Sequence, residues 1–292
     1  MPSLKQIKRR IASVDSTKQI TRAMRMVSAA RLRRAQDNMM AARPYSDRLW
    51  TLIKDLAART NPDAHPLLAV REPKHVGIVV VTSDRGLAGS FNISICRAAE
   101  KVIEKHRETA EEVRLIAIGK KGYEYFRNRG AEFIQHHIGL SRDFEYGKVL
   151  SISSEIRELY KNGFIVEEGL DRVYVVYNEF KNVVQQNVIV EQLFPIVPEL
   201  ASSETYPVDY IYEPSEQALL DHVLPLYANV TLWRMLLESF AAEHAARMNS
   251  MENATKNAEE LVDKLTLEYN KARQQAITTQ LLEVVSGAEA LE

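Results

Sequence analysis

Two glycine turns are the places where this sequence could do chemistry. In Ser83-Asp84-Arg85-Gly86-Leu87-Ala88-Gly89-Ser90-Phe91-Asn92 an apolar run passes through glycines into a helical pattern. Backbone N–H groups at such a turn, backed by a helix N-terminus, suit a phosphate. Gly119-Lys120-Lys121-Gly122 offers the same geometry with two ammonium groups added. Neither spacing matches a dinucleotide fingerprint or a Walker loop, since no Gly-Lys-Ser/Thr follows. Both are therefore read first as structural turns, and a nucleotide- or phosphate-binding α/β protein as the alternative.

The other reactive residue types are scattered. Seven histidines, at 65, 75, 106, 136, 137, 222 and 244, show no ligand spacing. His136 and His137 fall in a strand pattern, where neighbours point to opposite faces. Cys96 is the single cysteine, which excludes an internal disulfide and a multi-cysteine zinc site. No nucleophile elbow and no acid/base pair stands out. The expectation is a chain with no catalytic residue, no metal and no cofactor.

The elements that must carry whatever function remains are unusual. Of 11 glycines, ten lie between Gly77 and Gly169, and the other is Gly287. Residues 3–43 and 226–286 contain neither glycine nor proline, which marks two very long helices around a turn-rich middle. At 1.5 Å rise per residue, the second stretch alone reaches roughly 90 Å, more than a compact domain of this size can hold. Leu219, Val223, Leu226, Val230, Trp233, Leu237 and Phe240 form a heptad seam, which Ala258, Leu261 and Leu265 resume. Leu4, Ile7, Ile11 and Val14 start a seam at the other end. Leu32, Ala35, Met39, Ala42, Ser46, Leu49, Ile53 and Leu56 continue it. Between them Ile20, Met24 and Val27 read as a slipped phase, which would alter the supercoil locally. Ser3 with Gln6 suggests a capping box, Pro44 a kink rather than an end, and Gly287 the C′ residue of the last helix.

The middle alternates strands and helices: Val76–Thr82, Ile93–Thr109, Val113–Ile118, Tyr123–Asn128, Ala131–Ile138, Gly147–Tyr160, then strands Val173–Phe180 and Asn187–Phe194. That order predicts a mainly parallel, doubly wound sheet ending in an antiparallel hairpin. The fold class expected is α/β: a long antiparallel coiled coil of the terminal helices (residues 1–61 and 215–292) plus a central Rossmann-like α/β domain (62–214). The longest apolar run, about Val76 to Val81, is too short to cross a bilayer.

Charge is strongly polarised. The net −1 conceals a basic first segment in which Lys5, Lys8, Arg9, Arg10, Lys18, Arg22, Arg25, Arg31, Arg33 and Arg34 face only Asp15. A nucleic-acid surface, an anionic membrane surface, a transit peptide and a solvated face balanced by the acidic last helix all fit a basic helix. The seam running past residue 34 argues against a leader, and the surplus of positive charge suits an acidic protein partner.

With its first-helix run Ile20–Gln36, its turn Ser83–Asn92 and its last-helix run Glu243–Met248, the sequence as a whole resembles the γ subunit of bacterial F-type ATP synthases. The resemblance rests on Ile20-Thr21-Arg22-Ala23-Met24-Arg25-Met26-Val27-Ser28-Ala29-Ala30-Arg31-Leu32-Arg33-Arg34-Ala35-Gln36, on the turn Ser83–Asn92, and on Glu243-His244-Ala245-Ala246-Arg247-Met248. Ala254–Ala258, Tyr269–Gln274, Ile277-Thr278, Glu283 and Gly287-Ala288 complete it. Ala88 and Ser90 stand where Cys and Gly are common, and Gln280 stands where the family pattern has Glu. The resemblance implies a non-catalytic central-stalk rotor that couples proton translocation to ATP synthesis or hydrolysis. Its implied partners are the alpha and beta subunits of the head, the epsilon subunit and the c-ring, with no nucleic acid and membrane association only through the complex. It further implies a peripheral location on the cytoplasmic side of the inner membrane. Carried over residue by residue, Met24, Arg25, Arg31, Arg247, Arg273, Gln274 and Thr278 become contacts to β, and Tyr210 and Glu213 contacts to the c-ring.

Overall fold

The computed structural model describes residues 3–57, 65–142, 144–162, 169–183, 185–197 and 215–289. They fall into two compact units, Met1–Ala29 with Arg247–Glu292, and Ala30–Ala246. Two helices contribute to both: α1 (Leu4–Ala57) and α5 (Glu216–Glu289). Pro44 lies inside α1 and Pro225 inside α5, and neither ends its helix. Gly287 does not end α5 either, because the helix runs two residues beyond it.

The second unit holds the sheet. Its strands are β1 (His75–Val81), β2 (Glu112–Ile118), β3 (Phe133–His137), β4 (Arg172–Phe180) and β5 (Gln186–Phe194), in the order β3-β2-β1-β4-β5. All neighbours pair in parallel except β4 and β5, which form the expected antiparallel hairpin. The connecting helices are α2 (Phe91–Arg107), α3 (Lys120–Arg127) and α4 (Tyr146–Asn162). β1 reads as a continuous apolar run because it is central and covered on both faces. Val76, Ile78 and Val80 pack with Phe91, Ile95, Ala99 and Ile103 of α2. Val79 and Val81 face the opposite way, toward Ile152 and Ile156 of α4, Leu49, Ile53 and Leu56 of α1, and Leu220–Phe240 of α5. The pleat alone sorts these residues between the two cores.

Polar groups in this unit are mostly accounted for. Arg71 donates to the carbonyls of Tyr160 and Leu170 at 2.9 and 2.7 Å, pairs with Asp171 at 3.3 Å, and lies over the Tyr160 ring. Gly119 sits at φ +100° with Thr82 packed against it so closely that an added Cβ would fall 2.0 Å from the Thr82 carbonyl oxygen. Cys96 is 1 % exposed, and burial pushes its thiol up to about 12.

The first unit is an antiparallel helix pair. Thr21 meets Thr255, and Arg25 meets Glu252, so residue numbers rise along one helix as they fall along the other. The predicted capping box is present: Gln6 Oε1 accepts from the Ser3 N–H at 2.9 Å, and Ser3 Oγ from the Gln6 N–H at 3.3 Å. The slipped phase is not. Residues turned inward on α1 keep one heptad throughout, as Leu4, Ile7, Ile11, Val14, Lys18, Thr21, Arg25 and Ser28 in this unit, and Leu32 to Leu56 with the same spacing in the other. Ile20 and Val27, expected in the seam, are 57 % and 54 % exposed, while Thr21 and Ser28 are buried at 8 % and 3 %. On α5 the seam passes through Met251, Ala258 and Leu265, while Leu261 is 44 % exposed, against expectation. Hydrophobicity pointed to the wrong phase because four consecutive seam positions of α1 are polar. The Thr21 and Thr255 hydroxyls lie 2.8 Å apart across the pair, and each also has a carbonyl acceptor on its own helix, Lys18 at 3.0 Å and Met251 at 2.7 Å, which makes a buried hydroxyl tolerable.

Candidate partner-contact surface

The helix pair carries its functional potential on its surface. Lys5, Lys8, Arg9, Arg10 and Arg22 of α1 are exposed, as are Arg31, Arg33 and Arg34 on the stretch of the same helix that belongs to the second unit. None of them forms an ion pair with a described residue. Lys18 pairs with Asp15 at 2.9 Å and Arg25 with Glu252 at 3.3 Å. The Asp15 carboxylate, by hydrogen bond and charge, holds the Lys18 ammonium above its ordinary value, and Glu259 and Asp263 of α5 add to this. The balance expected from the acidic last helix is therefore thin: Arg25–Glu252 is the one α1–α5 ion pair among the described residues of this unit. Between the cations lie the apolar side chains of Ile20, Met26 and Val27, each more than half exposed. A surface that mixes cations with apolar side chains suits an acidic protein segment better than bulk water.

The predicted contact residues divide by position. Met24 and Arg25 are half-buried on the first unit, and Arg31 is exposed on the second. Arg273, Gln274 and Thr278 are exposed on one stretch of α5, where Thr278 Oγ1 donates to the Gln274 carbonyl at 2.9 Å. An open groove of about 930 Å³ is lined there by Leu4 of α1 and by Gln274 and Thr278 among others. Arg247 alone of these residues is buried, at 7 % exposure, and it is engaged within the chain. Tyr210 and Glu213 lie outside the described residues.

The glycine turns turn out to be occupied by the protein's own groups. Asn92 Oδ1 accepts from the Ser83 N–H at 2.9 Å and the Ser83 hydroxyl at 3.0 Å, closing the first turn. Asp84 reaches across to the second. Its carboxylate accepts from the N–H of Lys120 at 3.1 Å, at the start of α3, and from the N–H of Gly139 at 2.9 Å. The N–H and hydroxyl of Ser141 complete the set at 3.3 and 2.8 Å. Burial works to raise the Asp84 carboxyl, but these donors outweigh it and hold it below the usual range. The donors a phosphate would use are already on a carboxylate. Sequence reasoning singled out the turn but missed Asp84, because its partners lie 36 to 57 residues away. Among the described residues no group of three metal-ligating side chains converges, and no helix is long and apolar enough to cross a membrane.

The described residues define an antiparallel helix pair and, in the other unit, a mainly parallel sheet covered on both faces. The family model described as ATP synthase matches residues 3–291. Two relatives named ATP synthase gamma chain, from Geobacter sp. (strain M21) and Anaeromyxobacter dehalogenans (strain 2CP-C), are each 47% identical, with all of both chains covered. The chain belongs to the ATP synthase gamma-chain family. Its fold is also that of a chain in the Euglena gracilis mitochondrial ATP synthase, solved as an assembly of OSCP, F1 and c-ring, with a TM-score of 0.72 at 18% identity over 99% of this chain and 94% of that one.

Proposed function

We propose that this chain is the central-stalk rotor subunit of an F-type ATP synthase, a non-catalytic part that couples proton translocation through the membrane ring to ATP synthesis or hydrolysis at the β subunits. Its partners are then the alpha and beta subunits, the epsilon subunit and the c-ring. Its attachment to the cytoplasmic face of the inner membrane runs through the complex. The observation that carries this reading is the antiparallel pair itself, with unpaired cations on α1 and carboxylates Glu252, Glu259, Glu260 and Asp263 on α5. Unlike faces on one shaft let chemically identical sites around it be told apart. Each ~1.4 kcal/mol difference in contact between faces changes a site's affinity about tenfold.

In this reading Met24, Arg25 and Arg31 meet acidic loops of β, and Arg273, Gln274 and Thr278 meet β farther along α5. Arg247 joins them if its buried side chain is released. Tyr210 and Glu213 meet the c-ring. Gln280 removes one negative charge from the exposed end of α5. Reconstitution tests the proposal: alpha and beta subunits should hydrolyse ATP far faster once this chain is added, and charge-neutral variants of Arg31, Arg33 and Arg34 should weaken assembly most at low salt. Equal turnover with and without the chain would refute the role.

A further inference from the structure

A second constellation, unconnected with the contact surface, lies in the second unit where β4, β5 and α5 meet. The Tyr177 hydroxyl donates to Glu191 Oε2 at 2.7 Å, and Arg234 Nη2 to Glu191 Oε1 at 2.6 Å. Arg234 Nη1 donates to Glu238 Oε1 at 3.2 Å and to the Tyr177 hydroxyl oxygen at 3.4 Å. Both oxygens of Glu191 are thus bonded. Glu238 is different. The residue is only 8 % exposed, and its Oε2 is buried with no protein group hydrogen-bonded to it. Glu238 borders a cavity of about 20 Å³ whose other walls are Met39, Ala42 and Ser46 of α1 and Val230, Arg234 and Leu237 of α5. That volume holds one water, and a water needs polar partners. Ser46 and Glu238 supply them from the two helices.

The charges favour the same answer. One guanidinium serves two carboxylates, and Glu179 on β4 adds a third negative charge nearby. A bare, ionised oxygen in an apolar pocket is expensive, whereas an O–H with a partner is not. We propose that Glu238 is a buried proton-and-water site: it is carried as the neutral acid, and its Oε2–H donates to a single water that also bonds the Ser46 hydroxyl. Burial is the largest influence raising the Glu238 carboxyl, Arg234 opposes it, and Glu179 and Glu191 reinforce it. Among the described side chains, the groups facing it are Arg234 on its own helix, Tyr177 and Glu179 on β4, Glu191 on β5, and the uncharged Met39, Ala42 and Ser46 of α1.

The site predicts a pH signature in the intact chain. A carboxyl raised in the folded state binds its proton more tightly there than when unfolded. Wild-type stability therefore falls as pH rises from about 4.3 to the folded value, and Glu238→Gln, which mimics the protonated form, escapes that loss. The ratio of the variant's folding equilibrium constant to that of wild type should grow by up to tenfold per pH unit across this window, read from urea unfolding. Infrared difference spectra of the wild-type chain should show a protonated carboxylic-acid band at neutral pH that is absent in Glu238→Gln and shifted in Ser46→Ala. A ratio constant with pH, or no acid band in the wild type, would overturn the protonation. A band unmoved by Ser46→Ala would overturn the water bridge.

Discussion

The helix pair and the α/β body treat polar groups in opposite ways. In the body, several charged groups are engaged internally: Arg71 on two carbonyls and Asp171, Asp84 on the start of α3 and on the Gly139–Ser141 segment, Arg234 on Glu191 and Glu238. In the pair, polar side chains enter the seam from Lys18 to Ser28, while Ile20, Met26, Val27 and most cations of α1 are left outside. The body spends its chemistry on holding one shape. The pair withholds its chemistry for something else to use, which is the pattern of an interface awaiting its partner rather than of a finished fold.

This contrast ranks the expected effects of substitution. The largest belongs to the body: Gly119→Ala places a Cβ against the Thr82 carbonyl at a positive φ. It should cost about 3 kcal/mol or more in chemical denaturation. Next comes Asp84→Asn, which should cost about 1–3 kcal/mol at neutral pH, because the amide nitrogen cannot accept from the N–H donors. The Asp84 carboxyl is held low in the folded chain, so its contribution is complete above about pH 3.9 and lost as pH falls through the folded value. The gap between wild type and Asp84→Asn should therefore close in acid, and a gap independent of pH would remove Asp84 from the account.

In the pair the effects should be smaller. Thr21→Val removes the cross-pair partner of the Thr255 hydroxyl, which keeps the Met251 carbonyl at 2.7 Å, and should cost no more than about 1 kcal/mol, whereas Thr21→Val with Thr255→Val should be nearly neutral. A double-mutant cycle that shows no coupling would mean that the 2.8 Å contact is not what holds the polar seam. Smallest of all, neutralising Arg9, Arg10 or Arg22 should change the stability of the isolated chain by no more than about 0.5 kcal/mol. A larger loss would show that the surface cations serve the fold itself, and the contrast between the two regions would fail.

Much of this was legible in the sequence. Strand boundaries fell within two residues of those observed, because β-branched runs between glycines leave little choice. The capping box at Ser3 and Gln6 and the continuity of α1 through Pro44 could be read locally. The seam phase could not be read where it became polar: Ile20 and Val27 looked like the seam because hydrophobicity was the only guide, and the Thr21–Thr255 bond spans 234 residues. Asp84 and Glu238 escaped for the same reason, since what makes each distinctive arrives from other elements. Of the candidate contacts among the described residues, Arg31, Arg273, Gln274 and Thr278 are exposed and Met24 and Arg25 half-buried, and nothing in the sequence signalled that Arg247 would be enclosed.

The buried thiol of Cys96 has a practical consequence. With its proton held so firmly and 1 % of its surface open, it will ignore maleimides and oxidants at working pH. A cysteine introduced anywhere on the exposed helices would then be the chain's sole labelling handle. Fluorophores, spin labels or gold beads can be mounted on the unaltered background to watch this molecule turn.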